Sequence, residues 1–375
     1  MLMDKARQVA GGRTWTDLSF LAALELLVGS CGATAALNPR GRGVLHGVVV
    51  RHLVNRLLIE GEVAARPEVS SQPVGPAIVI TGLPRTGTTL LHNLLARDPA
   101  LRPLRLWEAL RPVPPDPEDG RSEDQLVRQA QAWLERTYEL VPGFRSIHAA
   151  TAEGPEECDS LLQNDFASQH FDDMFDAATY SEWLATAPLR REYRSYARQL
   201  NVLRRSEDRT RPWVLKSPSH LGHLDALLEA CPDATIVHCH RHPAEAVPSY
   251  ASLVLTLRRA YSEDVSPTHV GHQAMRRCET ALARALAIRG AAEHRFVDVA
   301  YGDLVRQPVV TVARLYEQLG RRLASEVEAS MRTWLSRHPQ HEHGRHRYSG
   351  AGFGLSDQAL TDAFASYLDH HRTWT

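Results

Sequence analysis

The stretch Ile80-Thr81-Gly82-Leu83-Pro84-Arg85-Thr86-Gly87-Thr88-Thr89-Leu90-Leu91 decides the fold of this 375-residue chain. It continues an apolar run, residues 77–81, that shows no polar alternation, which is typical of a strand buried on both faces. A helical pattern begins at Thr88. A glycine-rich loop between such a strand and a helix turns backbone N–H groups inward, and the helix N-terminus adds a positive dipole end. The stretch therefore predicts an anion-binding loop.

The same strand-then-helix pattern recurs downstream. Further buried strands are predicted at 213–215, 234–238 and 295–299, followed by helices at 221–230, 244–257 and 309–319. Strands that alternate with helices indicate βαβ units. We therefore predict an α/β, P-loop-like three-layer fold with a central parallel sheet.

The remaining segments are predicted to be mainly helical. Residues 15–65 carry leucine and valine repeats at helical spacing, and a polar, proline-containing linker follows them. We predict a helical N-terminal extension over residues 1–72 and an α/β domain over residues 73–375. This domain should contain a helical insertion at about 116–210, and a last helix is predicted at 357–367.

Composition limits the kind of partner. Lys and Arg number 43 against 44 Asp and Glu, a formal net charge of −1, which argues against a nucleic-acid-coating protein. Five cysteines show no metal-finger spacing, and the start of the chain lacks a secretion-signal pattern. No apolar stretch noted near the start is long enough to span a bilayer. We expect a cytoplasmic protein without stable membrane insertion, which captures its ligand in a local pocket.

The anion loop differs from that of a nucleotide triphosphatase. Such an enzyme would carry Lys at the position of Thr88, whereas the cation here is Arg85 inside the loop. The strand at 234–238 leads into no Asp that would hold Mg²⁺, and Asp298 is only a weak substitute. These features favour a phosphate-bearing donor that is bound by protein cations without a metal.

Two motifs resemble one known family. Pro84-Arg85-Thr86-Gly87-Thr88-Thr89 resembles the 5′-phosphosulfate loop of sulfotransferases that use 3′-phosphoadenosine 5′-phosphosulfate (PAPS). The resemblance implies donor contacts from Arg85, Thr86, Gly87, Thr88 and Thr89. Downstream, Arg241-His242-Pro243 and Ser249 are similar to the family's 3′-phosphate site, although the family usually has Asp at the position of His242.

The resemblance extends over nearly the whole chain. It is also carried by Leu106-Trp107-Glu108, Pro155-Glu156-Glu157-Cys158, Leu215-Lys216-Ser217-Pro218 and Arg347-Tyr348 with Phe353-Gly354-Leu355, as in the bacterial sulfotransferases with a helical N-terminal extension. It implies a basic flap over the 3′-phosphate, formed by Arg345 and Arg347 with the neighbouring Tyr348.

The resemblance also suggests catalytic residues. Sulfuryl transfer needs cations where charge develops on the leaving nucleotide and a base for the acceptor hydroxyl. Arg85 and Lys216 are the expected cations. The base is left open between Glu108, which we rank slightly first on position, and His220. His148 and Glu156 are further candidates for the acceptor pocket.

Two groups of histidines raise the question of a metal. The first is His238, His240 and His242, and the second is His338, His341, His343 and His346. We predict no metal site, because Arg241 and the turn at Pro243 disturb the first group and the second lacks cysteine ligands at zinc spacing.

The sequence therefore predicts a PAPS-dependent sulfotransferase that acts on a hydroxyl of a small molecule, lipid or sugar, as in secondary metabolism. A P-loop kinase that uses ATP, and a non-catalytic nucleotide-binding protein, are the alternatives. A homodimer is an open option for the assembly.

Overall fold

The computed structural model describes residues 1–116, 122–204, 210–339 and 349–371. Its strands are β1 (Ala77–Gly82), β2 (Arg102–Pro103), β3 (Trp213–Lys216), β4 (Ala234–His240) and β5 (Phe296–Ala300). Its helices are α1 (Leu2–Val9), α2 (Leu21–Thr34), α3 (Pro39–Ala65), α4 (Thr88–Leu95), α5 (Leu106–Leu110), α6 (Glu123–Leu140), α7 (Phe144–Ile147), α8 (Asp159–Gln163), α9 (Gln169–Phe175), α10 (Ala178–Thr186), α11 (Arg190–Leu203), α12 (Leu224–Ala230), α13 (Pro243–Tyr261), α14 (Pro267–Ala292), α15 (Tyr301–Arg306), α16 (Pro308–Gln318), α17 (Ser325–Arg337), α18 (Asp357–Ala363) and α19 (Ala365–His370).

The strands form one parallel sheet in the order β2-β3-β1-β4-β5. This confirms the predicted α/β fold. Ile80 of β1 pairs with Lys216, and Gly82 pairs with Cys239 of β4. The carboxyl ends of β1, β3 and β4 therefore lie at one edge of the sheet, where open α/β folds bind their ligands.

Both faces of the sheet are buried. Val79, Leu215 and Ile236 belong to one apolar cluster, which extends into α13, α14 and the N-terminal helices. Ile80, Val214 and Val237 belong to a second cluster with α4, α16 and α17. Because successive strand residues face opposite sides, an uninterrupted apolar strand is stable only between two helical layers. This is the physical reason for the three-layer architecture.

The helices that the sequence predicted lie close to the predicted ranges, whereas α14 and α17 were not predicted. Helices α1 to α3 precede the sheet, and α3 is tied to the end of α13 by a hydrogen bond from the Asn38 amide to the Tyr261 carbonyl, 2.9 Å long. Helices α6 to α11 lie within the predicted insertion. The division into an extension and an α/β domain stays a prediction. The last predicted helix is interrupted at Phe364, between α18 and α19.

None of the helices in the described ranges combines the length and the apolar character needed to cross a membrane.

The two-residue strand β2 was not predicted, because so short a segment shows no periodicity in sequence.

The close approach of β1 to β4 makes Gly82 a sensitive position. Its φ is +149°, and a Cβ there would lie 2.4 Å from the carbonyl oxygen of Cys239. We expect Gly82→Ala to lower the free energy of unfolding by about 2 kcal/mol or more, because backbone must move to admit the methyl group. Urea denaturation measures the change.

Gly29 is the matched control, because it lies in α2 with open space around its Cβ position. Gly29→Ala should raise stability by about 0.5–1 kcal/mol through helix propensity. Equal stability for Gly82→Ala and the unsubstituted chain would contradict the packing described here.

Candidate active site

The loop after β1 has an unusual backbone. Arg85 has φ +72° and Gly87 has φ +86°, both left-handed, and the Thr86 hydroxyl donates to the Leu83 carbonyl over 2.7 Å. A left-handed residue other than glycine costs about 1–3 kcal/mol, and such strain persists where the surroundings enforce it. The loop leads into α4, whose first residues Thr88 and Thr89 border a large cavity. The arrangement suits an anion.

Three predicted donor-site residues meet beside this loop. Arg241 Nη1 donates to the carbonyl oxygen of Arg85 over 2.9 Å, and Arg85 Nε donates to the hydroxyl of Ser249 over 3.2 Å. All three residues border the same cavity. Residues that are more than 150 positions apart in sequence thus share one site, as the resemblance implied.

Arg241 is held in position from two sides. Its Nε donates to Glu245 over 3.0 Å, and its guanidinium lies 4.3 Å from the centre of the Tyr301 ring. His242, where the family usually has Asp, accepts a hydrogen bond from the Ala244 amide and caps α13. Asp at this position would cap the helix N-terminus in the same way, so His242 performs the capping role expected of the family's Asp.

Lys216 ends β3 on the opposite side of the loop. Its Nζ lies 2.5 Å from Glu157 Oε1 and 3.4 Å from the Thr89 hydroxyl. The Lys216 side chain is only 2% exposed, so the Glu157 carboxylate supplies the counter-charge that burial of an ammonium demands. Both Arg85 and Lys216 border the cavity next to the loop.

The cavity has a volume of about 1480 Å³. A single drug-sized ligand typically occupies a pocket of about 300–1,000 Å³, so this one has room for two ligands. It is bordered by the loop and the cationic residues described above. It is also bordered by helical side chains, several of them apolar or aromatic: Val48, Trp133, Tyr138, Phe144, Met174, Leu253 and Leu257.

Glu108 lies elsewhere than expected for a base. Its carboxylate pairs with both terminal nitrogens of Arg102, with Arg102 Nη1 2.9 Å from Oε2, and accepts from the Arg105 amide over 2.9 Å. Within the described residues, Glu108 does not border the cavity. The carboxylate neutralises a buried guanidinium and caps α5, and its role as the base stays a prediction.

His220 is also placed away from the chemistry. Its Nδ1 is 2.8 Å from the Tyr193 hydroxyl and its Nε2 is 3.1 Å from Cys158 Sγ. The ring is fully buried, and burial lowers the pKa of His220 to about 3. Both ring nitrogens are engaged and His220 does not border the cavity within the described ranges, so its role as the base stays a prediction.

His148 and Glu156, the lower-ranked candidates, do border the cavity. His148 Nε2 lies 3.2 Å from Glu156 Oε2. Burial disfavours a charged imidazole, but the Glu156 carboxylate outweighs it and raises the pKa of His148. Burial alone would raise the pKa of Glu156 too, yet His148 and then Lys216 hold it at about 2. The pair is thus a histidine with a permanently charged carboxylate partner.

Three predicted residues, Arg345, Arg347 and Tyr348, lie outside the described residues. Sequence reasoning missed the pairing of Glu157 with Lys216. Glu157 stands within a motif that carried the family resemblance, but its partner is 59 positions away. No local spacing signals that contact.

Comparison with known proteins identifies the family. The family model described as "Sulfotransferase family" matches residues 76–325 of the chain. The fold is similar to the crystal structure of sulfotransferase STF1 from Mycobacterium tuberculosis H37Rv, with 31% identity, 97% of each chain covered and a TM-score of 0.85. Sulfotransferase STF9 from Mycobacterium avium is similar at 29% identity, with 98% of this chain and 95% of that chain covered and a TM-score of 0.85. No curated protein matches the sequence.

This chain belongs to the sulfotransferase family, and it is an enzyme of that class. The kinase alternative is thereby disfavoured.

The Glu108–Arg102 pair yields a prediction about stability. Glu108→Gln should lower the free energy of unfolding by roughly 3 kcal/mol, because it leaves a buried guanidinium without its counter-ion. Binding of adenosine 3′,5′-bisphosphate should be unchanged. Chemical denaturation and calorimetric titration measure the two effects.

The matched control is Glu123→Gln, which removes an exposed carboxylate 3.7 Å from Arg105. Its effect should stay below about 1 kcal/mol. A Glu108→Gln enzyme of normal stability that lost only turnover would restore Glu108 as a catalytic residue.

Proposed function

We propose that this enzyme transfers the sulfuryl group of PAPS to a hydroxyl of a small-molecule acceptor, with protein cations in place of a metal. The observation that carries the proposal is that Arg85, Arg241 and Ser249 contact one another and border one cavity, beside the loop that leads into α4. PAPS carries a 3′-phosphate that ATP lacks, so recognition of that group requires a second anion site. A guanidinium suits that task because it can bind a phosphate through two nitrogens.

The placement of Asp298 supports a donor handled without Mg²⁺. Asp298 was the weak candidate for a magnesium ligand, but its carboxylate is paired with Arg289 through two contacts of 2.7 Å. Within the described ranges it does not border the cavity. In this proposal, Arg85 and Lys216 stabilise the charge that develops on the leaving phosphate oxygen.

We assign the role of base to His148 rather than to Glu108 or His220. Its Nε2 faces Glu156, so the N–H of the neutral ring donates to that carboxylate and Nδ1 is left as the proton acceptor. Arg85 Nη1 donates to the carbonyl of Ile147, the preceding residue, over 3.3 Å. The peptide group between Ile147 and His148 therefore connects Arg85 to the proposed base.

We expect the acceptor to bind against the helical side chains that border the cavity. The apolar and aromatic side chains there suit the carbon skeleton of an alcohol, phenol, lipid or sugar derivative. We place the reaction in the cytoplasm, because all five cysteines are buried free thiols, as is usual in a reducing compartment.

Donor recognition is tested with Arg241→Ala. Adenosine 3′,5′-bisphosphate should raise the Tm of the unsubstituted enzyme more than ATP with Mg²⁺ does. In the variant, affinity for the bisphosphate should fall about 10–100-fold, because a charge-assisted phosphate contact is lost. Binding of adenosine 5′-phosphate should change little.

Arg259→Ala is the control, since Arg259 is an exposed cation on α13, close in sequence to the site. If Arg241→Ala kept full preference for the bisphosphate, Arg241 would not be the 3′-phosphate ligand.

The base is tested by the pH dependence of kcat/KM, measured with PAPS and the best acceptor from a panel of phenols and alcohols. Only neutral His148 accepts a proton, so activity should rise with pH through a pKa above the ordinary value of about 6.5. Glu156→Gln removes the charge that favours the protonated ring, and it should move this limb to lower pH. His148→Gln should cost about 10²–10⁴ in kcat and abolish the limb.

His220→Gln serves as the comparison, and we expect it to alter stability but not the position of the limb. A limb that persisted in His148→Gln would exclude His148 as the base. Absence of turnover across the whole panel, with normal bisphosphate binding, would support a non-catalytic nucleotide-binding protein.

A further inference from the structure

A buried polar cluster lies behind the carboxyl end of the sheet, away from the cavity. His238 and His240 project from the same face of β4, and Asp298 of β5 is paired in register with His238. One ligand atom from each of the three residues lies within 4.8 Å of the others. Within the described chain none of the three borders the cavity, so this cluster is separate from the proposed active site.

His238 is the informative member. Its side chain is 98% buried, with a relative exposure of 2%, and neither Nδ1 nor Nε2 has a hydrogen-bond partner within the described residues. A buried polar atom without a partner costs about 1–3 kcal/mol, and such an atom in a native structure needs an explanation, of which a bound ion is one. The His238 ring lies 4.0 Å from the His240 ring, centre to centre, so the missing partner must fit beside that ring.

His240 and Asp298 are already oriented as ligands would be. His240 Nε2 lies 2.7 Å from Asp298 Oδ1, while its Nδ1 lies 2.7 Å from the Tyr367 hydroxyl. An outer hydrogen bond of this kind fixes the ring of a metal-bound histidine. For binding, the proton on Nε2 moves to Nδ1, which then donates to the Tyr367 oxygen. Tetrahedral coordination at about 2.0–2.1 Å separates the two ligand atoms to roughly 3.3 Å.

Arg289 is compatible with this arrangement. It binds Asp298 through both terminal nitrogens, at 2.7 Å each, and is itself paired with Glu293. A carboxylate oxygen has two lone-pair positions, so Asp298 Oδ1 keeps its bond to Arg289 when an ion replaces the His240 N–H. The carboxylates of Asp298 and Glu293 together offset the guanidinium charge near the ion.

From these contacts we infer that His238, His240 and Asp298 form a site for Zn²⁺, with a water molecule as the fourth ligand. Two imidazoles and one carboxylate are a ligand set typical of zinc, whereas Mg²⁺ and Ca²⁺ prefer oxygen ligands alone. The sequence predicts no metal here, because Arg241 and the turn at Pro243 disturb a site made of three histidines. The structure does assign His242 to the cap of α13, but the neighbouring strand supplies Asp298 in its place.

The site has a consequence for the donor pocket. His240 is directly followed by Arg241, and Tyr367 of α19 holds the His240 ring. A bound ion would join β4 to β5 and, through Tyr367, stabilise the C-terminal helix against the sheet. It would thereby stiffen the backbone that carries Arg241, without any contact with the reacting groups.

The test uses untagged full-length protein that has been treated with a chelator and dialysed. Calorimetric titration should show one Zn²⁺ bound tightly per chain and a rise in Tm, with no comparable effect of Mg²⁺. Co²⁺ in place of Zn²⁺ should give the visible absorption of a four-coordinate site with nitrogen and oxygen ligands.

The decisive variant is His238→Phe, which keeps a ring of similar size. Because the histidine makes no hydrogen bond in the absence of an ion, the metal-free variant should be as stable as the unsubstituted chain or more stable. Its affinity for Zn²⁺ should fall at least about 100-fold. His238→Gln provides a second variant with a polar side chain and should show the same loss.

The control changes His341, His343 and His346 together to Gln, which removes the other histidine-rich segment and should leave the tight Zn²⁺ in place. The inference is overturned if the unsubstituted chain binds no stoichiometric Zn²⁺. It is equally overturned if His238→Phe keeps that ion or the triple variant loses it. These readouts do not depend on sulfotransferase activity.

Discussion

The close approach of the parallel strands β1 and β4 at Gly82 is the constraint on which the rest of the site depends. A Cβ at position 82 would lie 2.4 Å from the Cys239 carbonyl oxygen, so only glycine fits there. The two strands therefore end side by side. The loop that leaves β1 and the arginine that follows β4 consequently emerge next to each other. The hydrogen bond from Arg241 to the Arg85 carbonyl is the direct result. An anion site built from two distant segments needs this shared starting point.

The charges around the cavity are balanced locally. Lys216 is neutralised by Glu157, His148 faces Glu156, and Arg241 is paired with Glu245. This pattern agrees with a chain whose formal net charge is only −1. Desolvated charges without partners would destabilise the fold by several kcal/mol each. The cations beside the loop are therefore balanced by neighbouring carboxylates, just as the charges of the whole chain nearly cancel.

The contacts of Glu108 and His220 are ones that sequence position alone does not indicate. Glu108 follows β2 and α4 at a position that resembles a catalytic one, yet Arg102, six residues earlier, binds its carboxylate in the core. His220 is four residues from Lys216, but the 3₁₀ turn at Pro218–His223 directs its ring to Tyr193 and Cys158. His148 is distant from every donor motif in sequence and is brought to the cavity by the helical segment that contains α7. Which polar side chain meets solvent and which meets the core depends on packing between segments.

The sequence by itself determined the four longer parallel strands, the anion loop and the two donor motifs, because each of these is encoded by neighbouring residues: an apolar run, glycines at a fixed spacing, an arginine at a strand end. Tertiary structure alone decided which candidate base borders the cavity, the Glu157 partner of Lys216 and the contact between His240 and Asp298. Those contacts join segments that are eight to about sixty positions apart. Their distances are set by strand register and helix packing, which no local pattern specifies.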